Sequence, residues 1–409
     1  MKEVKRLFYL EGVPQYYAWG GQSLIPSLVP SARSGDKPVA EYWLGAHQTA
    51  PSLVIDAEKS ALDQLVASDA DKILGKPVAK KFGRLPYLLK LLDVKDMLSI
   101  QVHPSKKEAE KEFAGENTAG IPMNAPNRNY KDDNHKPELM VALSDFWLLH
   151  GFKSKEKLIQ TLQIVPQLNF LIPTFESSGY EGLYKLVMSM PQQEVNNVLQ
   201  PLLDRVIPLY NAEKLNKEQE DFWAARAAIT FGNKQDSIDR GIFSIYFFNL
   251  LHLKKGEAIF QDAGVPHAYL EGQNVEIMAN SDNVLRGGLT NKHIDVNELL
   301  KHVKFEATKV TIQAGKKIHE EELLFETAAP DFQLSVFNLN KKDQISFTAA
   351  TAEILLLTEG SVQLTDGLNE LLLEKGHPAA INFSGGKVQG TALQNAVLFR
   401  ASVPVHISE

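Results

Sequence analysis

From about residue 305 onward the chain is cut into short apolar runs, each closed by a turn. The runs are KVTIQAG, FQLSVFNLN, EILLLTEGSVQLTDG, LLLEKGHPAAINFS and AVLFRASVPV. Runs this short, recurring every ~8–12 residues, cannot supply long helices; they predict a β-sandwich or barrel. The chain up to about residue 150 reads the same way. YLLKLLDVKDMLSIQVHP predicts two strands joined by a turn at Asp93–Asp96. KPELMVAL predicts another, with Pro137 at its first position, where a sheet tolerates proline. Between them, GIPMNAPNRNYKDDNH is rich in turn formers and reads as a loop.

The pattern changes from about Lys153 to Thr230. In SKEKLIQTLQIV, Ser154 is a candidate N-cap, and Leu158, Ile159, Leu162 and Val165 share one helical face. YEGLYKLVMSM, QQEVNNVLQPLLDRVIPLY and NKEQEDFWAARAAITF continue the helical period, punctuated by Pro166, Pro191, Pro201 and Pro208. This segment reads as a helical insertion in a β protein. Strand character returns at IFSIYFFNLLHL, and IDVNELLKHV predicts a short helix. HLKKGEAIFQDAGVPHAYLEG and LLLEKGHPAAINFSGGKV share a strand, a Lys-Gly turn and a second turn. Chance or two related β-sandwiches would explain the echo equally well. The second copy has no counterpart of His267.

Composition narrows the chemistry. The chain of 409 residues carries a net charge of −7 and no long basic run, so nucleic acid is not an expected partner. It has no cysteine, which excludes disulfides, thiolate metal sites and cysteine nucleophiles and fits a reducing cytoplasm. The charged N-terminal stretch MKEVKRLFYLEGVPQYYAWGG does not read as a signal peptide, and no apolar run has the ~18 residues that span a bilayer.

Most of the eleven histidines need no function. His150, His252, His302, His319 and His406 have no polar cluster nearby in sequence, and His377 follows a turn glycine. His103 differs, because it shares a strand face with Gln101 in SIQVHP. His267 follows a Gly-Val-Pro turn in AGVPHAYLEG, a setting that aims a side chain into a barrel mouth. Each alone is more readily structural. Glu138, on the apolar strand of NHKPELMVAL, changes the balance, since a carboxylate there is costly unless paired or metal-bound. A salt bridge to Lys136, on the same face, is the live alternative. Two imidazoles, a carboxylate and a carboxamide make an N/O donor set that suits zinc or another divalent first-row ion. Further on, NVEIMANSDNVLRGGLTNK places Glu276 in a strand-like run and Arg286 and Lys292 around a glycine-rich turn. Such a pair can hold a phosphate, although from that stretch alone two solvated surface cations would be the better reading.

In this order and spacing, SIQVHP, NHKPE, PHAYLEG and NVEIMANSDNVLRGGLTNK resemble the signatures of type I mannose-6-phosphate isomerases. QYYAWGG, AEYWLGAH and YLLKLLD add to the likeness, which covers most of residues 10–300. The resemblance implies a mainly β, tandem cupin (jelly-roll) fold with an α-helical insertion. A catalytic cupin would occupy residues 1–150 and 235–305, the helical insertion 151–234, and a second cupin-like domain 306–409. The same likeness implies one zinc ion per chain, held by Gln101, His103, Glu138 and His267. Arg286 matches the active-site arginine. Trp19, Glu41, Lys90, Ser99, Lys136, Tyr269, Glu276, Asp282 and Lys292 match residues lining the pocket. One departure concerns RGGLTNK, where many members have alanine second and proline before the lysine; Gly287 and Asn291 would loosen this loop.

The implied reaction interconverts mannose 6-phosphate and fructose 6-phosphate through an enediol, with a proton moving between C2 and C1. Arg286 would stabilise the enediolate or grip the phosphate. Glu276 is the first candidate for proton transfer and Lys136 the rival, because a lysine beside a divalent cation should have a lowered pKa. Lys90 and Lys292 would help neutralise the phosphate. A cytoplasmic monomer with no membrane partner is expected. Two other classes compete: a non-catalytic, sugar-phosphate-binding cupin and an iron cupin oxygenase. The cluster of Glu276, Lys136 and Arg286 argues against the first. Gln101 argues against the second, whose sites usually take three or four histidines.

Overall fold

A computed structural model describes residues 4–232 and 237–404. His406 and the expected boundary at 234–235 lie outside the described residues. Within them, strands form three sheets of nine, ten and four strands. The hub of the ten-stranded sheet is His267–Ala279. Its last eight residues, Gly272 to Ala279, pair with Tyr87–Val94, and Asn274 to Met278 also pair with Glu138–Ala142. Its first residues pair instead with Phe146–Phe152 and with Gln101. One strand serving two sets of neighbours forces the sheet to bend. The bend falls at Gly272, whose φ is +132° and where a Cβ would lie 2.5 Å from Phe146 Cδ2. Only glycine meets both demands.

Period-two alternation then sorts the side chains. Tyr42 and Leu44, Tyr87, Leu89 and Leu91, Leu139 and Val141, Val275 and Ile277 share one core with Leu10, Val54, Ile354, Leu356, Ile381 and Phe399 of the nine-stranded sheet. The alternate positions enter the barrel interior. There Leu92, Met140, Ala142 and Tyr269 pack together, and the buried polar residues Glu41, Lys90, Glu138 and Glu276 also occur on these strands. A sheet buried on both faces explains why these strands read as nearly continuous apolar runs, and why their few charges stand out.

The nine-stranded sheet joins the two ends of the chain. Leu7–Glu11 lies between Ala379–Asn382 and Leu53–Ile55. Its other face, with the four-stranded sheet, encloses Phe337, Ile345, Leu355, Leu364, Leu373 and Leu398. The fold is thus mainly β, a pair of jelly-roll barrels with an α-helical insertion. The helices Lys155–Ile164, Ile172–Ser189, Gln192–Asn211 and Glu220–Phe231 pack onto Met97, Ile100, Val102, Trp147, Leu285 and Leu289, next to the first barrel's mouth. Ser154 caps the first of them, its hydroxyl accepting from the Lys157 amide at 3.3 Å. No helix among the described residues is long and apolar enough to cross a membrane.

Two expectations change. Ile242 to Phe247 are helical (Gly241–Phe247), and the strand begins only at Phe248. All seven helical residues are buried, so no polar face reveals the helical period. KVTIQAG forms a single bridge, Gln313 to Ala258, rather than a strand. The two strands expected on either side of the turn at Asp93–Asp96 do form, as Tyr87–Val94 and Ile100–Val102, and each pairs with the hub strand. The echoed stretches do fold alike: Phe248–Leu253, Ala258–Gln261 and His267–Ala279 in one, Glu370–Leu373, Ala379–Asn382 and Lys387–Ala392 in the other.

Candidate metal centre and active-site cavity

Strand register sets Gln101 beside His267, and the side chains of His103, Glu138 and His267 converge. Gln101 lies opposite His267 on one side and Arg286 on the other. His103 follows directly after Ile100–Val102, and Glu138 and His267 each begin a strand. His103 Nε2 is 3.4 Å from Glu138 Oε1, and His267 Nε2 is 3.2 Å from Glu138 Oε2. Donor atoms of all three lie within 4.8 Å of one another, and all three residues are buried. Each imidazole is oriented through its other nitrogen: His103 Nδ1 on the Asn283 carbonyl at 2.8 Å, His267 Nδ1 on the Val265 carbonyl at 2.9 Å. A proton on Nδ1 leaves the Nε2 lone pair facing Glu138, the arrangement that metal-ligating histidines take. Burial holds His103 down to about 4, with Lys136 adding to the effect against the pull of Glu138, so the ring is neutral near pH 7. Buried His103 Nε2 has no hydrogen-bond partner. Lone pair against carboxylate is repulsive without a cation between them, so these residues fit a bound divalent metal.

Lys136 Nζ also meets Glu138 Oε1, at 3.0 Å. The salt bridge and the ligand cluster therefore share one carboxylate. Burial alone would raise Glu138, but the Lys136 ammonium beside it holds it well below the usual range.

Above the centre opens a cavity of about 600 Å³. Trp19, Glu41, Lys90, Ser99, Gln101, Lys136, Asp282, Arg286 and Lys292 line it. Tyr269 and Glu276 sit one layer deeper, the tyrosine donating to Glu276 Oε1 at 2.8 Å. Lys90 is buried between Glu41 and Glu276, at 3.5 and 3.3 Å, with its ammonium 5.0 Å from the centre of the Trp43 ring. Burial would strip its proton, yet the two carboxylates win and raise its pKa. Glu276 is itself raised, first by burial and then by Glu138. Asp282 Oδ2 lies 3.2 Å from His47 Nε2.

Part of the cavity lining is cationic. Arg286 and Lys292 have no side-chain acceptor or ion-pair partner among the described residues, and burial lowers both pKa values. Half-buried Arg286 and exposed Lys292, without a counter-charge among the described residues, are poised for an anion from outside. Sequence reasoning missed Trp43, Tyr17, Thr230 and Phe231, which also line the cavity. Trp43 was within reach, since it alternates with Glu41 on one strand. Thr230 and Phe231 come from the end of Glu220–Phe231, and only helix packing delivers them. Asn283 was missed as well. Its side-chain amide donates to the Asp132 and Asn134 carbonyls at 2.8 and 2.9 Å, which fixes the backbone carbonyl that orients His103.

Fold and site together define a cupin-type protein with a centre suited to one metal ion beside a cavity that carries Arg286 and Lys292. Residues 7–155 match the family model described as the catalytic domain of type I phosphomannose isomerase. The chain is 37% identical over 374 residues to mannose-6-phosphate isomerase of Escherichia coli, covering 90% of this chain and 92% of the relative. It is 34% identical over 390 residues to the Homo sapiens enzyme of that name, covering 87% and 88%. A crystal structure of mannose 6-phosphate isomerase from Salmonella typhimurium, bound to substrate and zinc, superposes with a TM-score of 0.87 at 32% identity, covering 98% of this chain and 100% of that one. The chain belongs to the type I mannose-6-phosphate isomerase family.

Proposed function

We propose that the protein is a zinc-dependent aldose–ketose isomerase that interconverts mannose 6-phosphate and fructose 6-phosphate. The observation that carries this reading is the His103–Glu138–His267 cluster set beside the unpaired cations Arg286 and Lys292. Gln101, His103, Glu138 and His267 hold the ion, and Gln101 is the ligand on the cavity wall. Bound zinc supplies a Lewis acid that polarises sugar oxygens. Lys292 and Arg286 receive the phosphate and the developing enediolate charge. Trp19, Ser99, Lys90, Glu41 and Asp282 orient the sugar. Proton transfer between C1 and C2 falls to Glu276 or Lys136: Lys136 is on the cavity wall, Glu276 one layer deeper with Tyr269. Arg286, Glu276 and Lys136 are the catalytic residues of this reading.

We assign residues 1–150 and 235–305 to the catalytic jelly roll, 151–234 to the insertion and 306–409 to the second cupin-like domain. The helices between Lys155 and Phe231 support the division, with Leu7–Glu11 lent to the second domain's sheet. A monomer in the cytoplasm is the simplest working form, supported by a cavity lined from within this chain and by the absence of cysteine. A coupled isomerase assay tests the function. Chelation is expected to abolish turnover and added zinc to restore it; full turnover by metal-free protein would sink the zinc role.

A further inference from the structure

The loop that carries Lys292 turns on an unusual backbone. Leu289 has φ +52° and Gly288 +128°. A bulky residue in the left-handed region needs something to hold it there. That turn aims two successive amides at one carboxylate. Asp239 Oδ1 accepts from the Leu289 amide at 2.9 Å, and Oδ2 accepts from the Thr290 amide at 3.0 Å. Oδ1 also accepts from the Gly241 amide at 2.7 Å, which ties the carboxylate to the start of Gly241–Phe247. Gly288 and Gly241 pack backbone to backbone, so that a Cβ on Gly288 would lie 2.4 Å from Gly241 Cα. From Thr290 the chain of contacts continues, its hydroxyl accepting from the Lys292 amide at 3.1 Å. Leu289, Thr290 and Lys292 all line the cavity, but Asp239 does not. Asn291 lacks the fixed φ of a proline, so the order of this loop rests on hydrogen bonds, the Thr290–Lys292 bond within it and those to Asp239 from outside.

We propose that Asp239 is a positioning residue for the anion end of the cavity: through the Leu289 and Thr290 amides it sets where Lys292 stands. The inference rests on the reading that Lys292 holds the substrate phosphate. It assigns part of substrate binding to a residue that touches no substrate and lies in the segment leading out of the helical insertion. A carboxylate suits the task because it accepts from three amides at once, which a neutral carboxamide with one oxygen cannot do.

The test measures the inhibition constant of inorganic phosphate and the KM for fructose 6-phosphate in zinc-loaded, full-length protein. Variants are Asp239→Ala, Asp239→Asn, Lys292→Ala and the Asp239→Ala/Lys292→Ala pair, with zinc content and melting temperature recorded for each. Asp239→Ala is expected to raise both constants about tenfold with a smaller change in kcat, and Asp239→Asn by less. In the Lys292→Ala background the same change is expected to add less than about twofold, because the clamp acts through that lysine. A merely structural role would lower the active fraction without moving the phosphate constant. The inference is overturned if Lys292→Ala raises the phosphate constant while neither Asp239 variant does, or if the two effects multiply. Should Lys292→Ala itself leave that constant unchanged, the phosphate reading of Lys292 fails first and takes the clamp with it. If Asp239→Ala does not fold, Asp239→Asn decides by the same criteria.

Discussion

Lys90 shows how much a single side chain carries here. It is the shared counter-charge of Glu41 and Glu276, all three buried. Replacing Lys90 with methionine keeps the bulk and strands two carboxylates, so denaturant unfolding is expected to show a loss of about 3–5 kcal/mol. Arg286 is the opposite case, a cation with no side-chain partner among the described residues, whose removal strands none of them. Arg286→Ala is therefore expected to leave stability and zinc content close to wild type while kcat falls by about a hundredfold or more. A rise in KM alone would reduce Arg286 to a binding group.

At the scale of elements, termini decide stability. Ser154→Ala removes the cap of Lys155–Ile164 and is expected to cost about 1 kcal/mol, read as a lower melting temperature with kcat unchanged. The helix Val296–His302 holds a buried acid instead. Glu298 accepts from Tyr130 Oη at 2.6 Å, lies 3.2 Å from His302 Nε2, and meets Lys301 at 2.5 Å. His302 and then Lys301 and Tyr130 outweigh burial and bring Glu298 to about 2 from 4.5. A depressed carboxyl pKa stabilises fully above its unfolded value, and that contribution is lost as pH falls from about 4.5 through about 2. Glu298→Gln should flatten the acid-unfolding curve in that window alone; an unchanged slope there would show that the network contributes nothing. Of the partners of His302, Glu298 stands four residues away and was within reach of the sequence, whereas Tyr130 and Glu108 are remote and only folding delivers them.

Across the whole molecule, the two barrels are not separable by a cut. Leu7–Glu11 needs Ala379–Asn382 as its neighbour, and Tyr87 Oη donates to the carbonyls of Ala352 and Ala401, both at 3.1 Å. A chain ending at residue 305 would expose the strand edge of Leu7–Glu11 and the core residues, Leu89 and Ile277 among them, that Ile354 and Phe399 help to cover. It is expected to be insoluble or to melt without a cooperative transition. A soluble, fully active truncation would show that the second barrel is dispensable.

The sequence by itself determined what depends on near neighbours. Period two put Gln101 beside His103 and Lys136 beside Glu138, Ser154 announced its helix, and the short runs announced strands. It also supplied the motifs that carry the family resemblance. Only the tertiary structure decided which remote residues meet. Glu138 lies between His103 and His267 because the sheet bends at Gly272 and the register there is fixed. Ile242 to Phe247 form a helix that the sequence does not mark, because a segment packed on all sides needs no polar face. Asp239, Asn283, Thr230 and Phe231 carry no local signal, because what they do is set by the partner that folding delivers. Local propensity is written in a few adjacent residues; convergence on a site is a property of register and of which face finds a neighbour.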